Sequence, residues 1–347
     1  MTQTILITGG AGYIGSHAVK LFLEEGYKVI VFDNLSNGYK EPLDILEKST
    51  HNKTADNNPS LTFIKGDLRN REDLKNLFQK YKGEQKIDAV IHFAALCSVD
   101  ESMKKPELYF ENNTLGSFNL FEEMRAGNVK KIIFSSTCAI YGEIEKPPVA
   151  ESHPIKPNNP YGESKLLTEK MLQWYGKLHD FKYTILRYFN VCGADKEGII
   201  GDSKKPSLLL MQNAVRAAMN IEKFEFTCPK VDTPDKTPIR DYIDVEDLVI
   251  AHKEALNYLD KGGRNNIFNL GNGTGYSVKE IVQKVEETLD TKINAKSGTP
   301  RKGEYAQIYA NPQKAFQALN WTPQKTLTDS INSLATWYKK YPHGYKY

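Results

Sequence analysis

Thr4-Ile5-Leu6-Ile7-Thr8-Gly9-Gly10-Ala11-Gly12-Tyr13-Ile14-Gly15 joins a short apolar run to a glycine-rich turn and the start of an amphipathic stretch. A strand that ends in such a turn and leads straight into a helix is the unit that binds a dinucleotide. Gly9, Gly12 and Gly15 let the backbone bend tightly and approach a pyrophosphate. The helix N-terminus that follows, beginning at Tyr13 and Ile14, offers unpaired N–H groups and partial positive charge. Working outward, Asp33 closes the next β-branched run, 28–33, at the distance where a carboxylate accepts hydrogen bonds from the adenosine ribose. A 2′-phosphate would meet a like charge there, so the turn and Asp33 together select NAD.

Further runs at 61–67, 88–93, 131–136 and 183–188 alternate with helix-length amphipathic stretches. That alternation predicts an α/β fold with a doubly wound parallel sheet of the Rossmann type, helices on both faces and right-handed crossovers. Asp67, Phe93, Ala94 and Ala95 fall at strand C-termini, where the adenine and ribose of a dinucleotide lie. His92, inside a strand, reads as a hydrogen-bonded core histidine rather than a catalyst.

The chain has 347 residues, more than one hydrophobic core usually serves, so a second, smaller α/β substrate domain is expected. The pattern turns irregular after Asn190: 193–206 is loop-like, 207–219 helical, and 228–238 holds three prolines. Helical periodicity returns over 241–259. The expected division is 1–193 with 240–275 for the NAD-binding domain, and 194–239 with 276–347 for the substrate domain. The Asn-rich segment 51–60 reads as a surface loop.

Lys and Arg number 46 against 43 Asp and Glu, scattered rather than clustered, which argues against nucleic-acid binding. No signal peptide opens the chain, and no apolar stretch reaches membrane-spanning length. Cys97, Cys138, Cys192 and Cys228 show no paired spacing, so neither disulfides nor a metal site is expected and a reducing cytoplasm fits best.

Tyr161-Gly162-Glu163-Ser164-Lys165 follows Pro160, a residue suited to a first helical turn, and places Tyr161 and Lys165 on one helix face. An ordinary phenol is a poor base at neutral pH, but a neighbouring ammonium and a nicotinamide cation both favour the phenolate. Ser135-Ser136-Thr137 ends the fifth strand at the edge where ligands bind, and supplies a hydroxyl that joins Tyr161 at a substrate oxygen. Tyr161, Lys165 and Thr137 are therefore the catalytic candidates.

The chain resembles the extended short-chain dehydrogenase/reductase family and, within it, the UDP-galactose 4-epimerases. The resemblance rests on TGGAGYIGSH (8–17), DNL (33–35), GD (66–67), HFAA (92–95), ENN (111–113), FSSTCAIYG (134–142), YGESK (161–165), LRYFN (186–190), RDY (240–242), NLG (269–271) and PRKGE (300–304). It implies that Tyr161 takes the proton of the sugar 4-hydroxyl while the 4-hydrogen passes to tightly held NAD. The 4-keto sugar then turns over and is reduced on its other face, interconverting UDP-glucose and UDP-galactose. Lys165 would tune Tyr161 and hold the nicotinamide ribose. Asn34, Leu68, Asn112, Ser135 and Phe189 would join the cofactor site. Asn190, Ser207, Leu208, Arg240, Arg301, Glu304 and Ile308 would join Thr137 and Tyr161 around a UDP-sugar. Stretches 106–125 and 161–177 would pair across a homodimer.

Four positions depart from the family pattern. Thr137 stands for Ser, and Cys97 for a Lys beside the cofactor phosphates. Ser207 replaces Asn, and Ile308 replaces a Tyr that walls the sugar pocket in narrow-specificity members, which opens the way to 2-acetamido sugars. Sugar-nucleotide dehydratases and decarboxylases share the fold, yet Cys138-Ala139 offers no acid/base pair for elimination, and no extra basic residue awaits a glucuronyl carboxylate. A non-catalytic NAD-binding regulator would have little use for Tyr161 and Lys165.

Overall fold

The structure, a computed structural model, describes residues 2–51, 60–83, 86–204, 207–299 and 305–345. Numbered along the chain, β1 (Thr4–Thr8), β2 (Lys28–Asp33), β3 (Leu61–Lys65), β4 (Ala89–His92), β5 (Lys131–Thr137), β6 (Lys182–Tyr188) and β10 (Asn266–Leu270) build one parallel sheet. Its order is β10-β6-β5-β4-β1-β2-β3. The winding reverses between β1 and β4, and the crevice outside the strand C-termini at that reversal is where this class of sheet binds ligands.

The sheet is apolar on both faces because alternate residues point to opposite sides. Ile5, Ile7, Val29 and Val31 bury one face against α1 (Tyr13–Glu24), α9 (Val245–Asp260) and α11 (Gln313–Leu319). Leu6, Ile30, Val90 and Ile132 bury the other against α3 (Arg71–Lys80), α6 (Gly116–Ala126) and α7 (Pro160–Leu178). Shorter or peripheral helices are α2 (Glu41–His51), α4 (Val99–Ser102) and α5 (Pro106–Tyr109). Between α5 and α6 the chain makes a π-helical turn, Phe110–Leu115.

A smaller sheet centres on β9 (Ile239–Asp244), which pairs with β7 (Asn190–Cys192) and β13 (Gln307–Ile308) in parallel and with β11 (Gly275–Ser277) antiparallel. A further parallel pair joins β8 (Phe224–Phe226) to β12 (Ala295–Ser297). Behind them α8 (Leu210–Ala218), α10 (Val278–Leu289) and α12 (Leu327–Lys340) share a cluster that includes Val215, Val285 and Trp337.

The six strands read from the sequence are present, β1 and β2 with the expected ends and the other four with ends shifted by one or two residues. Two expectations are corrected. The stretch 241–259 is not helical throughout: Asp241–Asp244 is strand, and the helix starts at Val245 because the Asp244 carboxylate caps it by accepting from the Glu246 N–H at 2.8 Å. The helix expected at 207–219 occupies only Leu210–Ala218. Of the loop expected at 51–60, His51 closes α2, and 52–59 lie outside the described residues.

Candidate active site

A cavity of about 590 Å³ opens over the C-terminal ends of the parallel strands and extends beneath the smaller sheet. The predicted site residues line it, with four exceptions. Ser135 and Ser207 stand back from it, and Arg301 and Glu304 lie outside the described residues.

At one end lies the glycine turn. Gly9 adopts φ +74°, and a Cβ there would sit 2.6 Å from the Ala94 nitrogen. At Gly15 a Cβ would fall 2.1 Å from the Gly9 carbonyl oxygen, so α1 packs on the turn at a distance only glycine permits. Gly12 caps α1 with no side-chain hydrogen bond, which leaves the first-turn amides to an external anion. Beside the turn, the Asp33 carboxylate accepts from the Ala11 N–H at 3.1 Å and the Leu35 N–H at 2.8 Å. Burial pushes its pKa up and these two bonds oppose the rise. Asn34 donates to Asp67 at 2.9 Å; Asp67 is held down to about 2, mainly by the Arg69 guanidinium. A turn that tolerates no side chain, free helix-end amides and an acceptor for ribose hydroxyls together fit a dinucleotide.

At the other end stand Tyr161, Thr137 and Lys165. The Asn159 side chain caps α7, accepting from the Gly162 N–H at 2.9 Å, and Pro160 opens the helix; this sets Tyr161 in its first turn. Thr137 ends β5 and lines the same cavity as Tyr161, and its side chain favours ionisation of the Tyr161 phenol. It also accepts from the Ala139 N–H at 3.1 Å. Lys165, buried, donates to the Ser135 carbonyl at 2.8 Å, with its ammonium 5.0 Å over the Phe134 ring. Burial lowers Lys165 to about 8. Burial is the largest influence on Tyr161 and pushes its phenol well above the ordinary value.

His92 is a core histidine: its ring nitrogens bond Thr8 at 2.7 Å and Ser117 at 2.8 Å, and burial lowers it to about 3. Ser135 presents its carbonyl, not its hydroxyl, to the site, the hydroxyl lying 3.3 Å from His252. Ser207 donates to Asp202 at 3.0 Å.

Three further residues gain a place at the site. Asn113, on the π-turn, donates to the Leu96 carbonyl and to Ser164 of α7, both at 3.0 Å, and so ties the cavity wall to the catalytic helix. Its only signal in the sequence was the ENN stretch. Lys204 reaches over the cavity from the loop after β7, its Nζ 3.9 Å from Cys97 Sγ, so a cation returns to the neighbourhood where residue 97 lacks one. Tyr305 is buried in the cavity wall with its hydroxyl facing Asn158, Asn159 and Ala139. Arg240 lies beside it, its guanidinium 6.0 Å from the Tyr305 ring and donating to the Tyr305 carbonyl at 2.9 Å. Ile308 is buried in the same wall.

Among the described residues no His, Cys, Asp or Glu cluster could hold a metal ion, and no helix is long and apolar enough to cross a membrane.

The comparisons agree with this geometry. The family described as GDP-mannose 4,6 dehydratase matches residues 6–334. The UDP-glucose 4-epimerase of Halalkalibacterium halodurans is 41% identical over 345 residues, covering 99% of this chain and 98% of its own. The solved UDP-glucose 4-epimerase of Bifidobacterium longum, in complex with NAD+ and UDP, superposes with TM-score 0.91 at 35% identity, covering 99% and 100%. The UDP-Glc/GlcNAc 4-epimerase of Campylobacter jejuni does so with TM-score 0.80 at 37% identity, covering 97% and 99%. With a parallel sheet that ends in a glycine turn, and a Tyr, Lys and Thr gathered at its far edge, the chain belongs to the UDP-glucose 4-epimerase family of extended short-chain dehydrogenases/reductases.

Proposed function

We propose that the chain is an NAD-dependent isomerase that interconverts UDP-glucose and UDP-galactose, inverting the C4 hydroxyl by transient oxidation. The observation that carries this reading is one cavity with a dinucleotide cradle at one end and Tyr161, Thr137 and Lys165 gathered at the other. NAD bound there supplies reversible hydride transfer. Tyr161 holds and returns the proton of the reacting hydroxyl. Its ionisation is opposed by burial and favoured by positive charge brought beside it. Thr137 orients the reacting oxygen, and Lys165 extends the polar line toward the Ser135 carbonyl. Arg240 suits the diphosphate, because a guanidinium matches it in shape as well as charge.

Residues 1–193 with 240–275 mainly serve the cofactor in this reading and 194–239 with 276–347 mainly the sugar nucleotide, with Thr137, Tyr161 and Arg240 reaching the substrate from the first. Elimination of water, as in the dehydratases, is disfavoured: the Cys138 thiol beside Thr137 is pushed up to about 12 by burial, and Ala139 has no acid to offer. Ile308 in the wall favours a second substrate class, the 2-acetamido sugars. We further propose a homodimer, supported by Phe118 on α6 and Trp174 and Leu178 on α7, all exposed. A cytoplasmic location is supported by four free cysteines.

The test is incubation of purified protein with UDP-glucose, UDP-galactose and UDP-N-acetylglucosamine, products resolved by proton NMR. Tyr161→Phe is expected to lose about 10²- to 10⁴-fold in kcat while retaining NAD. No turnover of UDP-galactose sinks the main reading; turnover of UDP-galactose but not of the acetamido sugar removes the second.

A further inference from the structure

Tyr305 sits where three parts of the site meet. Its hydroxyl accepts from Asn159 Nδ2 at 3.1 Å and faces Asn158 Oδ1 at 2.9 Å and the Ala139 carbonyl at 3.4 Å. Its one proton goes best to Asn158, the nearer acceptor. Asn159 is the cap of α7, so the residue that fixes the turn carrying Tyr161 is itself fixed by Tyr305. Ala139 donates to Thr137, which lines the cavity with Tyr161. The backbone carbonyl and ring of Tyr305 meanwhile hold Arg240, by a 2.9 Å bond and a 6.0 Å approach.

We propose that Tyr305 is a positioning residue that holds the start of α7 and the end of β5 in register with Arg240, so that the reacting hydroxyl and the diphosphate anchor keep a fixed separation. The proposal rests on the functional reading above. Burial of Tyr305, which keeps the phenol protonated, and its place in the cavity wall agree with a permanent donor rather than a titrating group. The hydroxyl and the ring then have separate duties. Without the hydroxyl, Asn159 keeps its bond to Gly162 but loses its tie to the cavity wall, so Tyr161 drifts relative to bound substrate. Without the ring, Arg240 loses its support as well.

The holoenzyme tests this through kcat, KM and backbone amide exchange. In Tyr305→Phe, kcat for UDP-galactose is expected to fall about tenfold to a hundredfold with KM changed by less than about threefold. NAD should be retained, and exchange over 159–164 should quicken. Asn159→Ser keeps a capping oxygen but loses the amide that reaches Tyr305; it should show the same signature and stands in if Tyr305→Phe does not fold. Tyr305→Leu should add a rise in KM. An unchanged kcat, or a loss of kcat without faster exchange, overturns the proposal. If the unaltered protein turns over no UDP-sugar, the functional reading fails instead, and the exchange data alone then decide whether Tyr305 holds the start of α7.

Discussion

Lys165 buries its ammonium against the Ser135 carbonyl and the Phe134 ring, and burial brings its pKa to about 8. Its folded value thus lies below its unfolded one of about 10.4. Between those values the unfolded chain binds more protons than the folded one, so stability from this group rises as pH climbs from about 8 to about 10 and is depressed at neutral pH. Lys165→Met should therefore stabilise the protein at pH 7 by up to about 3 kcal/mol while abolishing activity, and the gain should shrink toward pH 10. Thermal unfolding of both proteins at the two pH values checks this; a gain equal at both, or larger at pH 10, contradicts it. The places of Tyr161, Lys165 and Asp33 in the cavity were readable from the sequence because they follow from short spacings around a cap and a turn. Tyr305 was not: its partner Asn159 lies 146 residues earlier, and only the folded chain brings the two together.

Among elements, the β1–α1 unit shows how little room the cofactor cradle has. Gly15→Ala would drive a methyl toward the Gly9 carbonyl, 2.1 Å from the ideal Cβ, and α1 would have to lift from the turn. We expect a loss of about 1–3 kcal/mol in stability and purification with little bound NAD, read by calorimetry and by the nucleotide released on denaturation. Full NAD occupancy in this variant would contradict the reading of the turn. The strands that carry β-branched runs announced themselves. β10 did not, since Asn266-Ile267-Phe268-Asn269-Leu270 has two Asn in five residues and is held by pairing with β6 and by the Asn269 amide donating to the Val149 carbonyl. The π-turn was equally hidden, because Asn113 takes its meaning from Leu96 and Ser164 on other elements.

For the whole molecule, Trp174 and Leu178 leave 59% and 67% of their surfaces exposed one turn apart on α7, where the proposed dimer would cover them. Trp174→Glu with Leu178→Glu should convert a dimer to a monomer at micromolar concentration with the cavity intact, as sedimentation and NAD content would show. An unaltered protein that already sediments as a monomer defeats the expectation. The smaller sheet was less legible than the larger because its strands have two to six residues and come from four distant stretches of chain. One joint in it reaches furthest: β9 runs into α9 with no linker, and Asp244 at that joint accepts from Ser330 of α12 at 2.6 Å. The smaller sheet is therefore joined to the helices of the larger one at this point without a free linker. A carbohydrate ring that must show either side to one reactive plane would have to roll inside this one chamber, whose lining includes Cys97 and Lys204.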